Sequence, residues 1–181
     1  MRVLRYPRVA NYCLLIALTT LFFSSVIRAE APFIFVEPPA PEVLARILYT
    51  PRYRSVDGEQ VVRPDTFGMM INFKFDSTEI VADSLPMLDS VGEMLTLEST
   101  RRQALIIEGH TDAQGTEIYN ESLSKRRAAA IKQYLVASFD IDPKRLLTVG
   151  QGESRLYDGG NPLNPLNRRA EFKPLKNIII Q

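Results

Sequence analysis

The sequence predicts an α+β fold: a two-layer α/β sandwich with helices on one face of a mixed four-stranded sheet. Three observations carry that reading. In residues 66–75, Ile71, Phe73 and Phe75 alternate with Asn72 and Lys74, the period of a half-buried strand. Residues 104–107 are short and continuously apolar, which suits a central strand covered on both sides. Two stretches of helical spacing fall between and after these runs, so the order strand, helix, strand, helix, strand, loop, strand packs helices against a single sheet.

Residues 1–29 read as an export signal. Arg2, Arg5 and Arg8 precede an apolar run over 12–27, and Ala29 supplies a small residue before a cut near Glu30. The competing reading is a retained anchor, although the run is shorter than the ~20 residues that cross a bilayer. Cys13 stands at the start of the run rather than its end, which argues against a lipoprotein signal, and a chain cut after Ala29 has no cysteine for disulfide or thiol chemistry. The four arginines of this segment account for the formal charge of +1; the remainder has 18 basic against 21 acidic residues and no electrostatic footprint for nucleic acid.

Residues 30–65 hold six prolines and no sustained period, so they read as an extended arm or linker. Within it, PEVLARILY places Val43, Leu44, Ile47 and Leu48 on a common helical side, to pack onto the domain or to meet a partner. Residues 66–181 form the domain proper. After the first strand, residues 80–97 set Ile80, Met87, Leu88, Val91, Met94 and Leu95 on one stripe, with Pro86 acceptable in the first turn. A second helix spans about 117–138, ahead of a turn at Asp142 and Pro143. Residues 146–149 give a third strand, a Gly-, Asn- and Pro-rich loop follows, and 168–175 alternate Ala170 and Phe172 against Arg169, Glu171 and Lys173.

The chemistry concentrates in residues 105–130. On the second helix Tyr119, Asn120, Leu123, Arg127, Ala130, Ile131 and Tyr134 share an arc, so Arg127 sits in an apolar stripe. An arginine there either snorkels or meets a counter-charge, because an unpaired buried charge costs several kcal/mol. The obvious carboxylate is Asp112, in the polar loop after the central strand, where Thr111 and Gln114 are further candidates for ligand contact. Physics alone leaves open whether Asp112 and Arg127 neutralise each other or hold a guest. His110, the only histidine, has no cysteine or second histidine to complete a metal set, and is expected to be a hydrogen-bonded structural residue.

GHTD at 109–112, the Tyr119–Asn120 step, LSKRRA at 123–128, GQGE at 150–153, NRRAEF at 167–172 and FDSTEI at 75–80 together resemble the OmpA-like peptidoglycan-binding domain over about residues 66–175. The resemblance implies a βαβαββ arrangement and a noncatalytic, cofactor-free domain that holds the diaminopimelate of the peptidoglycan peptide stem. It implies that Asp112 binds the ligand ammonium and Arg127 its carboxylate. It also implies that Asn120, Thr111 and Arg168 support the pocket, with Asp76 and Ser77 at its rim. A zwitterionic end needs one acceptor-only and one donor-only group, which these two side chains supply.

NPLNPLNRRAEF lacks the glycine-arginine step that many members have upstream of Asn-Arg-Arg, which puts the conformation of that loop in question. The chain has no room for the membrane β-barrel of the family's namesake, and residues 12–27 contain no aspartate of the kind a proton-driven stator carries.

The expected protein is periplasmic and associated with the cell wall of a Gram-negative envelope, with the inner face of the outer membrane as a candidate location and residues 30–60 as a candidate docking segment for an outer-membrane protein or envelope complex. Two rivals remain: a cell-wall hydrolase built on Glu108, His110 and Asp112, and a purely structural oligomerisation or adaptor module.

Overall fold

A computed structural model describes residues 32–50, 53–56, 59–62 and 65–175; the export signal expected over 1–29 lies outside them. Five strands make one sheet in the order β1-β4-β7-β5-β6, formed by β1 (Phe33–Phe35), β4 (Phe67–Met69), β5 (Leu105–His110), β6 (Leu146–Gly152) and β7 (Ala170–Pro174). The β1–β4 and β5–β6 pairs are parallel, and β7 runs antiparallel to both of its neighbours. The sheet therefore has five strands where the sequence suggested four, the extra one being the FIF segment of the proline-rich arm. A separate antiparallel ladder joins β2 (Tyr53–Val56) to β3 (Glu59–Val62).

Among the described residues three α-helices pack with the sheet: α1 (Pro41–Tyr49), α2 (Leu85–Thr96) and α3 (Glu117–Phe139). Pro41 and Pro86 occupy the first turns of α1 and α2, where a missing N–H costs no hydrogen bond. Thr116 caps α3 by accepting the Tyr119 N–H at 3.3 Å, and Asp140 ends it in the left-handed region at φ 53°. Leu44 and Leu48 of α1 are buried in the same apolar cluster as Leu88, Val91, Met94, Leu105, Ile107, Ile131 and Phe172. The apolar side of PEVLARILY is thus spent on packing. Phe67 stacks on Phe172 across the β4–β7 pair at 5.1 Å between ring centroids.

The first strand is shorter than its alternation suggests. Pairing stops at Met69, and beyond it Phe73 and Ile80 form only an isolated antiparallel bridge. Ile71 is buried and Phe73 half-buried as expected, but Phe75 is 99% exposed because the chain turns away at Asp76, whose φ is 48°. Ile80 precedes α2 instead of joining it, and a short 3-10 turn over Ala82–Ser84 intervenes.

Helix α3 lies close against β5 and β6. A Cβ on Gly109 would meet the Ser124 carbonyl oxygen at 2.2 Å, and one on Gly150 would meet the Glu121 carbonyl oxygen at 2.6 Å. The face that α3 buries is centred on Asn120, Leu123, Ser124, Ala128, Ile131 and Leu135. Tyr119 is exposed and Arg127 lies at the edge of the buried stripe, half-buried.

Candidate binding site

The end of β5, the start of α3, the loop before α2 and the segment leading into β7 meet around an open cavity of about 530 Å³. Of the residues singled out in the sequence, Thr111, Asp112, Asn120, Arg127, Arg168 and Asp76 all line it. Ser77 does not; its hydroxyl accepts the Glu79 N–H, and its carbonyl oxygen accepts Arg127 Nε at 3.2 Å. Phe73, Tyr119 and Leu123 add an apolar and aromatic wall, and Gln114 a polar edge.

Asp112 and Arg127 share this cavity without pairing to each other. Asp112 Oδ2 accepts from Arg168 at 2.6 Å, and its Oδ1 accepts the Gln114 N–H at 3.3 Å, the short-range turn bond expected of an aspartate in a loop. Arg127 spreads over the Phe73 ring, 4.9 Å from its centroid, and uses Nε alone on protein. Among the described residues its two terminal nitrogens have no hydrogen-bond partner, so the outer edge of the guanidinium faces the cavity. Burial, helped by the Arg168 guanidinium, draws its pKa below the usual arginine value, while Tyr119, Asp112 and Asp76 oppose that shift. A cation that remains charged while partly dehydrated gains most from an incoming anion.

Asn120 fixes the loop that carries Asp112. Its side-chain amide reaches the carbonyl oxygens of Asp112 and Gln114 at 3.3 and 3.1 Å and Glu153 Oε2 at 2.5 Å. Glu153, in the GQGE turn, is a contributor that the sequence reading passed over; its charge and place in a Gly-flanked turn were visible, but nothing in one dimension joined it to Asn120. On the rim, the Tyr119 hydroxyl donates to Asp76 Oδ1. Thr111 donates its N–H to the Gly152 carbonyl, and its buried hydroxyl has no partner.

The catalytic trio of the hydrolase reading is split. Glu108 and His110 point to the side of the sheet away from α3, opposite Gly109, whereas Asp112 faces the cavity. His110 also departs from expectation, because among the described residues neither ring nitrogen has a hydrogen-bond partner although the residue is 3% exposed. Its Nε2 lies 3.8 Å from Glu108 Oε2 and 3.7 Å from Glu171 Oε1. Burial, together with the nearby Arg169, Arg155 and Lys173 cations, lowers its pKa from 6.5 to about 3 against the pull of Glu171.

The model of the OmpA family matches residues 72–169, more than half of the chain and all of the cavity-lining sequence from Asn72 to Arg168. The chain belongs to the OmpA family. Among its OmpA-family relatives, outer membrane protein A of Bordetella avium is 37% identical over 113 residues, 61% of this chain and 50% of that protein. Peptidoglycan-associated lipoprotein of Pseudomonas putida is 34% identical over 103 residues, 56% of this chain and 60% of that one. Outer membrane porin F of Pseudomonas aeruginosa is 33% identical over 103 residues, 56% of this chain but 29% of the porin. The chain thus spans less than two thirds of the length of each of these relatives. The fold is shared with the OmpA-like domain of FopA1 from Francisella tularensis, at a TM-score of 0.50 and 23% identity over 61% of this chain and 73% of that one. It is also shared with the periplasmic domain of Helicobacter pylori MotB, at a TM-score of 0.53 and 14% identity over 71% of this chain and 90% of that one.

Proposed function

We propose that this chain binds peptidoglycan noncovalently in the Asp112–Arg127 cavity and tethers the wall within a Gram-negative envelope, acting in the periplasm. The observation that carries the reading is the open edge of Arg127 in the same cavity as the carboxylate of Asp112. A diaminopimelate end presents an ammonium and a carboxylate on one carbon. The ammonium suits Asp112 and the carboxylate suits the two free terminal nitrogens of Arg127, with Arg168 close enough to shift from Asp112 toward the same anion. The names of the Pseudomonas putida relative and of similar lipoproteins support the ligand class.

Cosedimentation with purified sacculi tests the proposal. Wild-type chain should pellet with the sacculi and release no soluble fragments, whereas release would favour the hydrolase. Arg127→Ala should remain folded and lose about 1.5–3 kcal/mol of binding, the worth of a charge-assisted hydrogen bond. Free diaminopimelate should shift amide signals near Asp112 and Arg127, and no response at millimolar ligand would favour the purely structural module. Docking of an outer-membrane protein through residues 30–60 would have to use surface other than Leu44 and Leu48, which are already buried.

A further inference from the structure

We propose that Glu108, His110 and Glu171 form a binding site for a divalent transition-metal ion of the zinc class, in which the Lys173 ammonium holds the ion's place until it enters. The site is on the side of the sheet away from α3 and is independent of the peptidoglycan cavity.

Strand geometry assembles the three residues. Glu108 and Glu171 are directly paired across β5 and β7, and His110 follows Glu108 by two positions, so all three emerge on one face. One ligand atom from each falls within 4.8 Å of the others, and all three residues are buried. Four-coordinate zinc with bonds near 2.0–2.1 Å places its ligand atoms about 3.4 Å apart; His110 Nε2 stands 3.8 and 3.7 Å from its two carboxylate neighbours and the set lies within 4.8 Å, so the glutamates must draw inward on binding.

The second observation is the state of His110. A buried imidazole with both nitrogens unbonded, aimed between two carboxylates, is an unfilled coordination position as much as an unsatisfied polar group. Glu171 Oε2 likewise lacks a hydrogen bond. One nitrogen and two carboxylate oxygens suit zinc, cobalt, iron or manganese better than magnesium or calcium, which take oxygen ligands.

The carboxylates already gather three cations: Arg169 on Glu171, Arg155 with its Nη1 3.4 Å from Glu108 Oε2, and Lys173, the one that reaches both. Lys173 Nζ lies 2.5 Å from Glu108 Oε2 and 3.5 Å from Glu171 Oε2, and its side chain is 20% exposed. Entry of the ion is then a ligand exchange: the ammonium swings to solvent with its proton, the ion sheds water, and three bonds to protein form. Arg169 stays on Glu171 Oε1 at 2.5 and 2.8 Å, which leaves Oε2 as the oxygen of that carboxylate open to the ion once Lys173 has left.

His110 is the only histidine of the chain, which makes the test direct. In untagged full-length protein, the imidazole ¹⁵N signals are followed as zinc chloride is added, a readout blind to zinc held by Cys13. One ring nitrogen should shift and the shift should saturate. Lys173→Ala, which removes the competing cation at a part-exposed position, should tighten zinc roughly tenfold or more. Ring signals unmoved at millimolar zinc in both the wild-type and Lys173→Ala chains, with the folded spectrum retained, would overturn the site. A shift that saturates at the same zinc concentration in both chains would overturn the exchange with Lys173.

Discussion

Arg127 is anchored at one nitrogen and open at the other two, so its position is set before a ligand arrives. That pre-positioning spares the entropy of ordering a long side chain on binding. Asn120 has the complementary task of holding the Asp112 loop, with Glu153 as the acceptor that fixes its amide. Glu153→Ala should therefore weaken sacculus binding through Asp112 while leaving Arg127 in place, and Asn120→Ala should weaken it at least as much; a pair of binding curves checks the order. His110 carries a pH prediction. Its folded pKa lies below the unfolded value, so unfolded chain takes up a proton that native chain refuses once pH falls below about 6.5. Stability should be unaffected by this group above that pH and should fall progressively toward pH 3. The groups facing it are Glu108, Glu171, Arg155, Arg169 and Lys173. Urea melts of wild type and His110→Gln across that range should show a flatter pH slope in the variant.

At the level of elements, the approach of α3 to β5 and β6 determines the geometry of the cavity. Gly109 and Gly150 provide the clearance, and their partners across it are backbone atoms that cannot rotate aside. Gly109→Ala should cost at least the ~1–3 kcal/mol of an overpacked core and also disturb Asp112 three residues on; thermal melts and sacculus binding would report both. Gly92→Ala meets the Phe139 ring instead, a side chain that can move, and should leave sugar-peptide binding intact. The helices were legible because their periods extend over enough residues to be unambiguous, and the central strand because a short, continuously apolar run suits a covered position. The end of β4 was not, since alternation indicates which side a residue faces and says nothing about where the neighbouring strand stops; Ile71 and Phe73 follow the pattern, Phe75 does not. The choice of counter-charge for Arg127 was equally hidden. The helical arc showed that Arg127 needed compensation, but Arg168, 56 residues from Asp112, reaches that carboxylate only through the fold.

For the whole molecule, the proline-rich arm is joined to the rest by β1 and α1. A three-residue strand is too short for a period to reveal, and the surrounding prolines conceal it further. Leu44, fully buried in the common core, makes the connection measurable: Leu44→Ala should destabilise the domain by about 2–5 kcal/mol, as other buried leucines do, and a melt unchanged from wild type would show that α1 is dispensable.

The pairing of β1 with β4 also has a mechanical meaning. With the cavity held by peptidoglycan as proposed, a pull on the chain ahead of Phe33 is borne first by three paired residues at the edge of the sheet and by the seat of Leu44 and Leu48. The arm then lies in series with the anchor and meets the load before it. Under load it should extend while the residues around Asp112 and Arg127 keep their places, sparing the grip on the wall from the first part of any strain.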